Sequence, residues 1–420
     1  MAVPKEKIAG VVNDNRFILL CLALVFALVI FFIDYTDWWM DVDHYWYNIN
    51  DFYVDGKMPY KDYVFEYPPF SLVVFLIPRI FSVDLDSFHY SFAIFAAISY
   101  MVASWLILDI IGKENPLRSY VIIILLLIPI FSFKFIVTRN DVFAVTMAVL
   151  AVWLFLKDKR ILAYVVIALG AMIKIYPIIF VMGIVIYHLA KRDWRSTAVC
   201  ISVVAITCLV IELPFFISDP GSAFNYLTYH SDRGIQIESV VASLIYLVYL
   251  LGLTTIEHEG SFGSDNIVGD LPDAIAPHMN QLLMMALIGF AVWMLFREIK
   301  RNEAGSDDDD DSFSRTMCLV FVALTLIFII FSKVYSAQYM IWVLLLAPLV
   351  IWASPAGIQR TKMFWSTMAF GLFSMIAFCL YDTHSSNDLL FFSGEALKNI
   401  ATVVYLVMVL RIMNRRYTDQ

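Results

Sequence analysis

An all-α, polytopic bundle of membrane-spanning helices is the fold class this sequence predicts, and three observations predict it. Of its 420 residues, 61% are hydrophobic and only 16% charged, with a mean hydropathy of +0.77; soluble domains are about half apolar and a quarter charged. Apolar runs long enough to cross ~30 Å of hydrocarbon recur along the whole chain, and only helices or closed barrels satisfy their backbone there. Basic residues cluster between alternate runs, the pattern of a chain threaded back and forth. The net charge of −8 draws heavily on the run Asp307–Asp311 and names no partner. No basic patch has the density that nucleic acid requires, so nucleic acid is not an expected partner.

The elements follow in order. The run 17–33 comes after Lys5, Lys7 and Arg16 and has no small-residue cleavage signal behind it, so it reads as a retained first span. Further runs lie at 69–82, 88–111, 119–137, 142–156, 161–173, 177–190, 196–213, 240–253, 279–296, 314–332, 339–353, 363–381 and 399–413. The segments "GKENPLR" (112–118), "LKDKR" (156–160), "AKRDWR" (190–195), "REIKR" (297–301), "IQRTK" (358–362) and "RIMNRR" (411–416) all belong on the cytoplasmic side. Placing them there gives about twelve spans with both termini cytoplasmic, and makes the short runs 69–82 and 240–253 re-entrant or interfacial. The expectation is one integral unit over 1–420 in the plasma membrane, with a first extracytoplasmic loop at 34–87 and an acidic cytoplasmic linker at 302–313. The outer loop 254–278, rich in Gly and Asp, reads as a mobile cover or a plain connection. Cys21, Cys200, Cys208, Cys318 and Cys379 all sit in apolar runs without paired spacing, which indicates buried small hydrophobes.

This threading leaves Lys57, Lys61, Arg79, Lys134, Arg139, Lys174, Arg233, Lys333 and Lys398 on the outer side, where cations are depleted. Motif-like sequence gathers on the same face. In "MDVDHYWYNINDFYVDGKMPYKDYVFEYPPF" (40–70), residues 41–54 can form an amphipathic helix with Asp43, Tyr47 and Asn50/Asp51 on one face. Its tryptophans and tyrosines suit the headgroup level. Asp55-Gly56 ends that helix, and Tyr67-Pro68-Pro69 fixes an extended lead-in with Pro69 opening the next one. A carboxylate among aromatics at a membrane boundary is a useful base, which nominates Asp43, with Asp41 as the alternative. Arg139, Lys174, Arg233 and Lys333, taken together, look like partners for a lipid phosphate. His44, His230 and His384 lack metal-ligand spacing, and no P-loop, GxSxG or dinucleotide fingerprint is present. No cofactor is indicated; use of a divalent metal stays open.

These segments resemble a known family. Asp43-x-x-x-Tyr47 followed by "DGKMPYKDYVFEYPPF" is similar to the first outer loop of GT-C glycosyltransferases that use polyprenyl-phosphate sugars. "RND" (139–141), "KIYP" (174–177), "HSDRGIQIES" (230–239) and "KVYSAQYMIW" (333–342) resemble later blocks of the polyprenyl-phosphate-mannose-dependent mannosyltransferase branch, in the same order. The resemblance implies a GT-C-like fold and a polyprenyl- or dolichyl-phosphate sugar donor. It also implies a glycan or glycolipid acceptor, inversion at the anomeric carbon, and a catalytic acid at Asp43. Loop and substrate contacts are then expected from Tyr47, Tyr60, Glu66, Tyr67, His230, Glu238, Gln338 and Tyr339. The competing expectation is a transporter or flippase of lipid-linked sugars, which needs the cations but no base; the inverted repeats of such proteins are not evident here.

Overall fold

The computed structural model describes residues 14–32, 40–229, 233–261, 263–303 and 310–415. It is a helical bundle: α1 (Asn15–Phe32), α2 (Met40–Tyr53), α3 (Ser71–Ile80), α4 (Leu85–Ile111), α5 (Arg118–Thr138), α6 (Asp141–Leu156), α7 (Arg160–Ile173), α8 (Ile179–Ala190) and α9 (Trp194–Ser218), followed by the short α10 (Asn225–Tyr229). Then come β1 (Ile235–Gln236), α11 (Val240–Leu250), β2 (Glu257–Ser261), β3 (Ser264–Val268) and α12 (Asp270–Ile275). The chain continues through α13 (Met279–Glu303), α14 (Asp310–Phe331), α15 (Met340–Leu344), α16 (Ala347–Ala353), α17 (Ile358–Cys379) and α18 (Asp388–Arg415).

Among the described residues, eight helices are long and apolar enough to cross a membrane: α1, α4, α5, α9, α13 (continuous with α12), α14, α17 and α18. The protein is an integral membrane protein. The expected number of about twelve crossings also counts four shorter apolar helices, α6, α7, Tyr176–Ala190 and Ala337–Ala353. The two runs expected not to cross are α3 and α11, the shortest of the apolar set at 10 and 11 residues. α14 is 83% buried over its apolar window while α9 is only 22% buried, so α14 is central and α9 faces lipid. α6 is apolar and buried on nearly every face and fills the middle of the bundle.

Local chemistry shapes the helices that lead to Arg139. Pro129 inside α5 has no N–H for the carbonyl of Leu125, and the hydroxyl of Tyr100 donates to that carbonyl instead at 2.7 Å. One turn on, Ser132 leaves helical geometry (φ −140°, ψ 18°), and this kink re-aims the last turn before Arg139. α4 opens with a capping box between Asp84 and Ser87.

Two details differ from the sequence expectation. Pro69 does not open α3; bonds from Ser71, Leu72 and Val73 N–H to the carbonyls of Pro68, Pro69 and Phe70 make a tight turn first, and α3 starts at Ser71. The loop 254–278 is not a plain connection. It carries a hairpin, β2–β3, with β1 added antiparallel in the order β1-β3-β2 and Ile235 opposite Ile267. Strands this short, one of them nearly all polar, leave no alternation for sequence reading to detect.

Candidate active site

α2 lies on α3 and α4 and is held by aromatic packing. Tyr45 is buried, stacks on Phe75 at 4.2 Å and meets Tyr67 edge-on at 5.5 Å. Arg79 donates to Asn50 at 2.8 Å and covers the Trp46 ring at 4.5 Å. The acidic loop behind α2 is braced by its own tyrosines: Tyr60 donates to the Tyr67 carbonyl at 2.6 Å and Tyr63 to the Asn48 carbonyl at 2.9 Å. The inward face of α2 is Val42, Tyr45, Asn48 and Ile49. Tyr47, expected to share a working face with Asp43, is 60% exposed.

The two aspartates of α2 diverge, as residues two apart on a helix must. Asp41 pairs with Arg139. Asp43 meets Nε2 of His89, on α4, at 2.5 Å. Arg139 occupies extended backbone between α5 and α6, and Lys174 occupies extended backbone at the end of α7. Lys174 Nζ donates to Asp141 Oδ2 at 2.7 Å, and Trp342 Nε1 donates to Asp141 Oδ1 at 2.5 Å. Trp342 is clamped between Tyr176 at 3.9 Å and Tyr339 at 3.8 Å, both near-parallel. Lys174 also lies 5.8 Å from the Tyr339 ring and 5.7 Å from that of Trp342.

Arg233 faces Glu66 across 3.8 Å. Glu238 is buried, accepts from Gln236 Nε2 at 2.9 Å and takes a hydrogen bond from the Ala337 backbone. Lys333 is buried, and its carbonyl accepts from the Gln236 N–H at 2.9 Å. Gln338 is half-buried in the 3₁₀ turn Ala337–Tyr339. His230 lies outside the described residues. Five separate stretches of sequence therefore meet: Asp41 and Glu66 from the first loop, Arg139 and Asp141, Lys174, Arg233 and Glu238, and Tyr339 with Trp342.

The electrostatics match this crowding. Burial lowers the Arg139 guanidinium to about 10, opposed by Asp141 and Glu238. It also lowers the Lys174 ammonium, with Asp141 resisting and Arg139 adding to the shift. Burial pushes the Tyr45 and Tyr67 phenols up, reinforced at Tyr45 by Asp141 and at Tyr67 by Tyr45 and Glu66. The Glu238 carboxyl is driven up by burial against the pull of Lys398. Among the described residues, the buried Asn140 amide has no protein partner for its nitrogen or its oxygen.

Several members escaped the sequence reading. Asp141 stood inside the "RND" block and Trp342 inside "KVYSAQYMIW", but neither was singled out. A carboxylate opening an otherwise apolar run was the available signal for Asp141. Nothing in the sequence marks His89 as the partner of Asp43.

Residues 65–256 match the model of glycosyltransferase family 87. The chain is also similar to GPI mannosyltransferase 1 of Kluyveromyces lactis, 25% identical over 324 residues that cover 76% of this chain and 72% of the relative. Its similarity to GPI mannosyltransferase 1 of Candida albicans is 25% over 339 residues, 73% of this chain and 74% of the relative. The chain is a membrane glycosyltransferase. The family match of the enzyme takes in Glu66, Arg139, Asp141, Lys174, Arg233 and Glu238. Asp41, Asp43, Tyr339 and Trp342 lie outside it and join the site through the fold.

Proposed function

We propose that the enzyme transfers a mannosyl group from a polyprenyl- or dolichyl-phosphate donor to a lipid-linked glycan on the extracytoplasmic face, with inversion. The observation that carries this reading is the gathering of Arg139, Lys174 and Arg233 with the carboxylates of Asp41, Asp141 and Glu66. Three cations at helix breaks, walled by aromatic rings, suit a phosphate that arrives sideways from the bilayer. Mannose is supported by the similarity to the two fungal GPI mannosyltransferases. Tyr339, half-buried at the end of the ring stack, offers apolar surface to a sugar, and the buried amide of Asn140 can both donate to and accept from its hydroxyls.

The chemistry is a direct displacement. The acceptor oxygen forms a bond to the anomeric carbon as the bond from that carbon to the phosphate oxygen breaks. The hydroxyl proton passes to a carboxylate, and the charge growing on the phosphate is met by the cations, with no cofactor needed. In-line geometry places the base across the sugar ring from the departing phosphate. Asp41 is already held by Arg139, so it belongs to the phosphate side and its basicity is spent there. Asp43, one turn-face away and oriented by His89, is the base in this reading. Asp41 keeps the alternative role only if Arg139 lets it go.

The test is single-turnover transfer from radiolabelled polyprenyl-phosphate-mannose, with the glucose donor as comparison and membrane lipids as acceptors. Asp43→Asn keeps the carboxamide shape and loses proton acceptance, so transfer falls ~10²–10⁴-fold while the protein stays folded. Wild-type transfer by Asp43→Asn, with Asp41→Asn inactive, moves the base to Asp41. Unchanged transfer in both variants sinks the mechanism and favours a transporter.

A further inference from the structure

The last membrane helix lies beyond the stretch that matches the family, yet one of its faces is polar and buried. Glu395, Lys398, Asn399 and Thr402 follow i, i+3, i+4, i+7 spacing, so they form a single stripe, and all four are almost fully inaccessible. Polar groups are expensive inside a membrane helix, and apolar side chains would pack such a face at lower cost. The stripe faces the segment that leads into α11. Lys398 Nζ lies 2.5 Å from Glu395 and donates to the Glu238 carbonyl at 3.1 Å. Asn399 Nδ2 contacts the carbonyls of Glu238 and Ser239 and the hydroxyl of Ser243, at 3.4, 3.2 and 2.8 Å. Lys398 also covers the Tyr335 ring at 4.0 Å, and Thr402 bonds the Tyr335 hydroxyl at 3.0 Å.

Apart from Glu395, on α18 itself, those partners lie at Glu238 and Ser239, at Ser243 in the first turn of α11, and at Tyr335. The loops 233–239 and 333–339 are also tied to each other: Gln236 Oε1 accepts from Tyr335 N–H at 2.9 Å, and Gln236 Nε2 donates to Ser336 Oγ at 2.9 Å. Three of the contacts fall on the backbone carbonyls of Glu238 and Ser239, which fix register whatever the side chains do. Arg233 is five residues before the gripped carbonyl of Glu238, across β1.

We infer that α18 is a working part of the transferase: its Lys398–Glu395 pair, with Asn399, is a positioning strut that holds the 233–239 loop so that Glu238 acts on Arg139 and Arg233 faces Glu66. This rests on the reading that Arg233 meets the donor phosphate. Lys398 touches no reacting atom; it acts through the loop.

The experiment separates position from stability. Lys398→Met alone strands Glu395 in the bundle and destabilises the protein. The double variant Glu395→Gln/Lys398→Met removes both charges at nearly constant volume. It is expected to regain wild-type abundance and thermal stability, yet to keep a raised donor KM and a kcat reduced ~10- to 100-fold, because a small misplacement of a binding group costs that much. Lys398→Arg, which restores a cation, recovers part of the donor KM. Asn399→Leu, which removes the amide's contacts with the Glu238 and Ser239 carbonyls and the Ser243 hydroxyl, raises donor KM without altering the charges, and it serves as the readout if the double variant does not accumulate. A stable double variant, or Asn399→Leu, with wild-type donor KM and kcat overturns the strut and leaves the functional reading standing. A wild-type enzyme that neither binds nor uses polyprenyl-phosphate sugars overturns both.

Discussion

Asp141 and Trp342 are 201 positions apart in the chain and are joined by a 2.5 Å hydrogen bond. The other oxygen of the same carboxylate receives Lys174. One buried acid thus pins three breaks in the bundle: the α5–α6 junction, the end of α7 and the turn before α15. Each break leaves backbone groups unpaired at membrane depth, which is tolerated only where the protein itself surrounds them.

Lys174→Met is expected to leave the Asp141 carboxylate buried without its cation, at a cost of ~3–5 kcal/mol in stability. Adding Asp141→Asn should recover most of that loss while transfer stays low, because the phosphate-side cation is still missing. Thermal unfolding in detergent measures the first effect and donor turnover the second. An unshifted melting temperature in Lys174→Met would show that the pair is not holding the junction.

Arg233 offers two parallel donors to a phosphate, which an ammonium cannot reproduce. Arg233→Ala should therefore lose ~2–4 kcal/mol of transition-state stabilisation, and Arg233→Lys noticeably less. The quantity to compare is kcat/KM for the donor at matched protein levels. Equal values in wild type and Arg233→Ala would reduce Arg233 to a partner of Glu66.

Glu238 makes stability depend on pH with a definite sign. Burial raises its carboxyl above the ordinary 4.5 in the folded protein. As pH rises between those two values the unfolded chain gives up its proton first, so the native state loses stability through that window. Below it, both states are protonated and nothing changes. Glu238→Gln lacks this loss, and its melting temperature should gain on wild type from about pH 5 to about pH 8. Parallel curves for the two proteins would mean that Glu238 is ionised in the fold.

The threading is open to chemical labelling. In a cysteine-free background, Glu259→Cys on β2 should react with an impermeant maleimide from outside intact cells, and Asp158→Cys between α6 and α7 should not. Both positions are exposed in the fold. Reaction at Asp158→Cys from outside would invert the enzyme and its working face.

The fold class was legible because apolar runs and loop cations are local signals. So was the helix α2, which forms over 40–53 where the sequence placed one over 41–54. The sequence nominates Arg139, Lys174, Arg233 and Lys333 as a set through the charge rule, and the fold sets the first three against carboxylates. Their partners were not legible. Whether Asp41 or Asp43 faces Arg139 depends on how α2 is rotated about its axis, and that is fixed by Tyr45 docking on Phe75 and Tyr67, contacts that helical spacing does not foretell. The hairpin β2–β3 was hidden for a related reason: its pairing with Ile235 is long-range, and its own residues are too polar and too few to show a period.

The spacing of the Lys398–Glu395 pair bears on how such a chain is made. The two residues are three apart on one helix, so the charges are already side by side when α18 leaves the ribosome. The helix meets the insertion machinery as a neutral dipole rather than as two separate ions, which lightens its transfer into lipid. Lys174 and Asp141 have the same convenience at one remove, since α6 and α7 are consecutive and can enter as a hairpin. The outer loops that α18 grips were synthesised long before it, and they receive their final register only when the last helix arrives.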